Sequence, residues 1–248
     1  MVQFPSTEAA SETRKVQEPF APVHDALFAR LDAGIARLWA QAQRGRFWCH
    51  VTEHGCSLAL YRVTMLQIFH YTRHNSINQA VAALRADPEQ LSLLRYVYEH
   101  ARDELGHEQL VLHDLRSLGL PSDRLPSDAP LPATDALINY LYGVALREGP
   151  VARLGYSYWA ESVYAPIAPL LCRVRESLGL GERDLRFFSA HSAIDARHAV
   201  QVRSALQRAV ETQEQAEAVQ RVALTSLWLT LQILEQSFDW AHDALEER

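Results

Sequence analysis

"LTSLWLTLQILEQSF", residues 224–238, decides between a helical and a β reading of this chain. Leu224, Leu227, Trp228, Leu231, Leu234 and Phe238 recur at three- and four-residue steps, which puts them on one stripe of a helix; a half-buried strand would alternate apolar and polar residues instead. The stripe predicts a core-packed helix with these six side chains turned inward. The same spacing fills the other long segments, alternating strand runs are missing, and only 10 glycines punctuate 248 residues. An all-α, single-domain helical bundle of seven to eight helices is therefore expected, with helices at about 21–44, 57–84, 88–118, 133–148, 151–178, 183–211 and 214–246. Residues 1–18 are polar and carry Pro5, so they read as a flexible arm preceding a domain at 19–248. The prolines of "GLPSDRLPSDAPLP", residues 119–132, mark a surface connection rather than a domain boundary.

Apolar residues at 48% and charged residues at 22% place the chain among soluble globular proteins. A formal charge of -6 with no long basic run argues against a nucleic-acid partner and for small-molecule chemistry. No stretch approaches the roughly 20 apolar residues of a membrane span, and residues 1–15 lack the apolar core of a signal peptide, so a cytoplasmic protein is expected. Cys49, Cys56 and Cys172 form no C-x-x-C pair and fit a reducing compartment without disulfides. A homodimer is the ordinary expectation for an enzyme of this size.

Three segments carry candidate chemistry. In "HSAIDARH", residues 191–198, His191, Asp195 and His198 sit at i, i+4 and i+7, on one face of a helix. Such a set is either a solvated face or a group of ligands, and apolar Phe187, Phe188, Ala193, Ile194 and Val200 around it imply partial burial, where an Asp needs a partner or an ion. In "YEHARDELGHEQLVLHDLRSLG", residues 98–119, Glu104 and His107 stand three apart, the arrangement by which helix bundles offer a carboxylate and an imidazole to a di-iron centre. A charged surface with Arg102 nearby is the plain alternative. Glu161, in "LGYSYWAESVYAPIAPLL", residues 154–171, is a lone carboxylate in a nearly uncharged stretch and is costly unless paired, protonated or metal-bound.

Together the segments offer three carboxylates and three imidazoles, a mix of oxygen and nitrogen donors that suits iron or manganese better than a thiolate-rich zinc cage. The order E-x-x-H, an isolated Glu about fifty residues on, then H-x3-D-x2-H resembles the haem-oxygenase-like di-iron oxidases and oxygenases, over roughly residues 25–240. The resemblance implies a haem-oxygenase-like fold and a non-haem di-iron enzyme that uses O2 to oxidise a small organic substrate, such as an amino acid, a fatty acid or another small carboxylate, in a biosynthetic pathway. It implies Fe(II), two per chain. It assigns Glu104, His107 and Glu161 with His191 to one iron, and Asp195 and His198 with a shared carboxylate to the other, Glu161 being the bridge. Some members carry a further glutamate where this chain has His100. His70 and His74 fall where relatives contribute a ligand or a substrate contact.

Other readings compete. "HVTEH", residues 50–54, matches the inverted zincin pattern H-x-x-E-H. His24, His50 or His54 is in place for a proximal haem ligand. Thiamin-destroying members of the superfamily use a cysteine in the helix matching residues 151–178, where this chain has Cys172. A non-catalytic metal-binding helical protein is the alternative from another class. Arg147 and Arg153 flank the Glu161 segment and are candidates for a substrate carboxylate, while Tyr158, Trp159 and Tyr164 are candidate pocket walls.

Overall fold

The computed structural model describes residues 21–119 and 129–246, and all their side chains except those at 21–23, 191–196 and 243–246. The expected arm at 1–18 and most of the proline-rich connection lie outside the described residues. Within them the all-α class holds, and no strand occurs. Ten helices replace the expected seven to eight: α1 (Ala21–Ala42), α2 (Arg46–His54), α3 (Leu58–Ala82), α4 (Leu91–Glu104), α5 (Glu108–Ser117), α6 (Pro132–Arg147), α7 (Pro150–Ala160), α8 (Tyr164–Leu178), α9 (Arg186–Ala209) and α10 (Gln213–Glu246).

The extra helices have local causes. The expected helix at 88–118 breaks at Gly106, whose φ of +93° only glycine adopts cheaply, so α4 ends at Glu104 and α5 begins at Glu108. The expected helix at 151–178 breaks after Ala160, because Pro166 has no N–H for the Ser162 carbonyl and its ring crowds it; that proline sits comfortably in the first turn of a new helix. The stretch 45–56, between the helices expected at 21–44 and 57–84, contains α2, which buries Phe47, Trp48 and Val51. Ser57 starts α3 by accepting a hydrogen bond from the Leu60 amide at 3.1 Å.

Helix α10 is the spine against which α7, α1, α6 and α3 pack. Its inward stripe differs from the expected one. Leu227 is fully buried and Leu231 nearly so, but Trp228 is 49% exposed, and the inner face is completed by Val219, Ala223, Ser226 and Ile233. Small residues win there because α7 approaches so closely: a Cβ on Gly155 would stand 2.3 Å from the Val219 carbonyl oxygen and 2.9 Å from the Ala223 amide. Helix α9 is anchored from outside its own sequence. The carboxylate of Asp114 on α5, fully buried, accepts from the amides of Arg186 at 3.0 Å and Phe187 at 2.9 Å and so caps the α9 N-terminus.

Candidate metal centre

Both helix breaks fall at carboxylates. Glu104 ends α4, one turn after His100 on the same face, and Glu161 is the residue on which α7 terminates. Helix α9 brings His198 to meet them. His100, Glu104, Glu161 and His198 are all buried, and each offers a ligand atom within 4.8 Å of every other. His100 Nε2 is 2.9 Å from Glu161 Oε1, and His198 Nδ1 is 3.3 Å from Glu161 Oε2. Thus the two oxygens of one carboxylate face two different imidazoles.

This set fits a metal ion on three observations. Nitrogen and oxygen ligands at about 2.1 Å from one ion and at right angles to each other stand about 3 Å apart, the separation found here. His100 Nδ1 donates to Gln79 Oε1 at 2.9 Å, which leaves Nε2 turned to a carboxylate oxygen with a proton or a cation between them. His198 Nε2 is buried and has no hydrogen-bond partner among the described residues.

A polar network supports the centre from behind. Asn75 on α3 donates to Glu104 Oε2 at 3.1 Å, and the Asn75 carbonyl oxygen accepts from Arg153 at 2.6 Å. Arg153 also donates to Asn78 Oδ1 at 2.6 Å and Ser157 Oγ at 3.1 Å, and lies 4.6 Å from the Tyr156 ring centroid. At 1% exposure it is a buried cation beside two buried carboxylates. Burial pulls its pKa down, while Tyr156, Tyr96, Glu161 and Glu104 oppose that.

The carboxylates are held ionised. Burial alone would raise Glu161, but the imidazoles of His100 and His198 outweigh it and bring the carboxyl down to about 2. Burial likewise opposes ionisation of Glu104, and His107 reverses it, so its pKa is lowered. The histidines respond in the opposite sense: Glu161 raises His198 and Glu104 raises His107, each against burial.

Of the residues expected from sequence, Glu104, Glu161 and His198 come together. His107 lies across the Gly106 break rather than on the Glu104 helix, with Nδ1 3.3 Å from Glu104 Oε2, and is outside the group of four. His191 and Asp195 belong to the α9 backbone, but their side chains lie outside those described. His100 takes a place that was left open, and its i, i+4 spacing to Glu104 was the available signal. His74 instead pairs with the Tyr142 hydroxyl at 3.1 Å, and His70 is buried beside Phe69; neither is in the group. Arg153 is committed to Asn75, Asn78 and Ser157 rather than to a substrate carboxylate, and Arg147 is exposed.

The competing motifs lie elsewhere. His24 Nε2 is bonded to the Val210 carbonyl oxygen at 2.9 Å. His50 packs against His54, Phe238 and His242 on the α2–α10 face and shares no residue with the centre. Cys172 is exposed, and the thiol of buried Cys56 is pushed up by burial to about 12, which makes it a poor nucleophile at neutral pH.

A cavity of about 180 Å³ opens from Glu104 and Glu161. This is many times the roughly 10–15 Å³ that one water needs, so an organic molecule can enter. Trp159 and Tyr164 are in its wall as expected, whereas Tyr158 turns away to donate to Asp32 at 2.7 Å.

Residues 63–230 match the family described as iron-containing redox enzyme, a haem-oxygenase-like family. A domain of unknown function with a heme oxygenase-like fold from Shewanella denitrificans is 37% identical, covering 87% of this chain and 93% of that one at a TM-score of 0.82. A TenA homologue from P. horikoshii (15% identity, 86% and 98% coverage, TM-score 0.69) and a CADD-like protein of unknown function from Nostoc punctiforme (18%, 87% and 98%, 0.67) are similar in fold. No curated protein matches the sequence. No helix among the described residues is long and apolar enough to cross a membrane.

Proposed function

Since the chain belongs to the iron-containing redox enzyme family of haem-oxygenase-like fold, we propose that it is a non-haem di-iron oxidase or oxygenase that uses O2 to oxidise a small organic substrate. The observation that carries this reading is Glu161, a buried carboxylate whose two oxygens face the imidazoles of His100 and His198 and which lines an organic-sized cavity. A carboxylate so placed suits two ions at once. His100, Glu104, Glu161 and His198 would hold iron, with His107 beside Glu104 and with His191 and Asp195, seven and three residues before His198 on α9, as further ligands.

Iron held there would supply electrons for the reduction of O2. The chain's own residues do the rest. Gln79 fixes the tautomer and orientation of His100, and the relay from Arg153 through Asn75 holds the Glu104 carboxylate. Trp159, Tyr156 and Leu231 exclude water around the reacting bond, which protects it from competing reactions.

The test is occupancy. Anaerobic titration of the metal-free protein with Fe(II), counted after gel filtration, is expected to give up to two irons per chain. Glu161→Ala and His198→Ala should each remove most of it while the helical circular dichroism persists. Undiminished iron in both variants would remove the site.

A further inference from the structure

The cavity beside Glu104 and Glu161 is long. On α3 its wall is one helical stripe, Tyr61, Met65, Ile68, Thr72 and Asn75, at three- and four-residue steps. The fourteen steps from Tyr61 to Asn75, at about 1.5 Å each, make this wall about 21 Å long. Helix α8 adds Ile167, Leu171 and Val174 to the lining. Asn75, bonded to Glu104, marks the metal end, and Tyr61 with buried Cys56 marks the far end.

Charge is distributed along this length in one way only. Among the described residues that line the cavity there is no Lys, Arg or His, and Glu104 and Glu161 are its only ionisable carboxylates. Arg153, buried beside them, does not line the cavity and is fully engaged with Asn75, Asn78 and Ser157. Cys56 is a neutral thiol. A charged group carried to the far end would lose its hydration and find no counter-ion.

From this we infer that the substrate has one polar group, which sits at the Glu104–Glu161 end, and an extended uncharged hydrocarbon body that runs along α3 toward Cys56. Molecules with a charged group at the far end are excluded. The inference rests on the oxidase reading for its chemistry but not for its binding, which belongs to the cavity itself.

Binding is therefore measured on the metal-free protein. Straight-chain primary alcohols of about four to ten carbons are titrated while tryptophan emission is followed, since Trp39 and Trp159 are in the cavity wall. Each methylene that moves out of water should tighten binding about fourfold. The same alcohols with a terminal ammonium should bind at least tenfold more weakly than their uncharged partners. Ile68→Trp, in the middle of the stripe, should abolish the gain for the longer members only; Leu171→Trp, in the α8 part of the lining, serves should the first variant fail to fold.

A flat dependence on chain length, equal affinity for the ammonium series, or a wall variant without effect on the long members would overturn the inference. Iron occupancy read in parallel separates the two ideas. Chain-length dependence without iron binding leaves the cavity inference standing and sinks the oxidase. Iron binding with no length dependence does the reverse.

Discussion

Replacing Arg153 with Met tests whether the polar network behind the centre is a stability device as well as a positioning one. The guanidinium is 1% exposed and donates to three buried oxygens, of Asn75, Asn78 and Ser157, at 2.6, 2.6 and 3.1 Å. Methionine fills much of the volume but leaves all three acceptors without their donor, each worth about 1–3 kcal/mol when buried. It also removes a positive charge that interacts with Glu104 and Glu161. Against this stands the relief of no longer burying a charge, which is why the three terms do not simply add. Breaking one side of a buried charge network comes to about 3–5 kcal/mol. For a chain of this size that is a fall in Tm on the order of 10 °C. The assay is urea unfolding of the metal-free protein followed by circular dichroism, with Arg153→Lys alongside. Lysine keeps the charge but lacks the planar fork that reaches three oxygens, so it should recover only part of the loss. A change under about 1 kcal/mol in Arg153→Met would refute the reasoning, because it would mean the three acceptors are satisfied without the arginine.

Other consequences follow from single contacts. Gly155→Ala places a methyl group against the Val219 carbonyl and the Ala223 amide, so α7 must back away from α10; a loss of about 1–3 kcal/mol in urea unfolding is expected, and an unchanged midpoint would contradict the close crossing. Asp114→Ala removes the cap of α9 and should cost about 2 kcal/mol, with faster amide hydrogen exchange at 186–190; exchange identical to the wild type would show that Asp114 is not the anchor. Stability of the metal-free protein should depend on pH with a definite sign. The depressed Glu161 contributes above the ordinary carboxylate value of 4.5 and is lost as pH falls toward 2. The raised His107 and His198 contribute below the ordinary histidine value of 6.5 and are lost as pH rises through their raised values. Melting temperatures should therefore peak between 4.5 and 6.5 and decline toward pH 9, and iron, which replaces the histidine protons, should remove the alkaline decline. A profile that keeps rising from pH 6 to 9 without metal would sink this assignment.

The helical class was legible because the spacing of Leu224, Leu227 and Leu231 is a local property of the chain. The convergence of Glu104, Glu161 and His198 was legible for a related reason: each stands where a charged or titratable group needs compensation on an otherwise apolar face. What was hidden depends on contacts between distant segments. Trp228 fits the apolar stripe yet half of it faces water, since the crossing with α7 at Gly155 sets which face of α10 is inward. Arg153 reads in sequence as a substrate-binding surface residue, and only the arrival of Asn75 and Asn78 from α3 makes it a buried support. His100 was visible as an i, i+4 neighbour of Glu104 but was overshadowed by the E-x-x-H pair, whose own helix stops at Gly106.

The central claim is that these ligands hold iron that reacts with oxygen, and stopped-flow mixing with O2 tests it most directly. Protein loaded anaerobically with Fe(II) is mixed with oxygenated buffer, with and without a long-chain alcohol, while oxygen uptake and the visible spectrum are recorded. The account predicts rapid oxidation of bound iron with a new visible band, about one O2 consumed for every two irons, and loss of both in Glu161→Ala. Iron that stays ferrous in oxygen, or a site that takes up zinc tightly and shows no oxygen response, would contradict it.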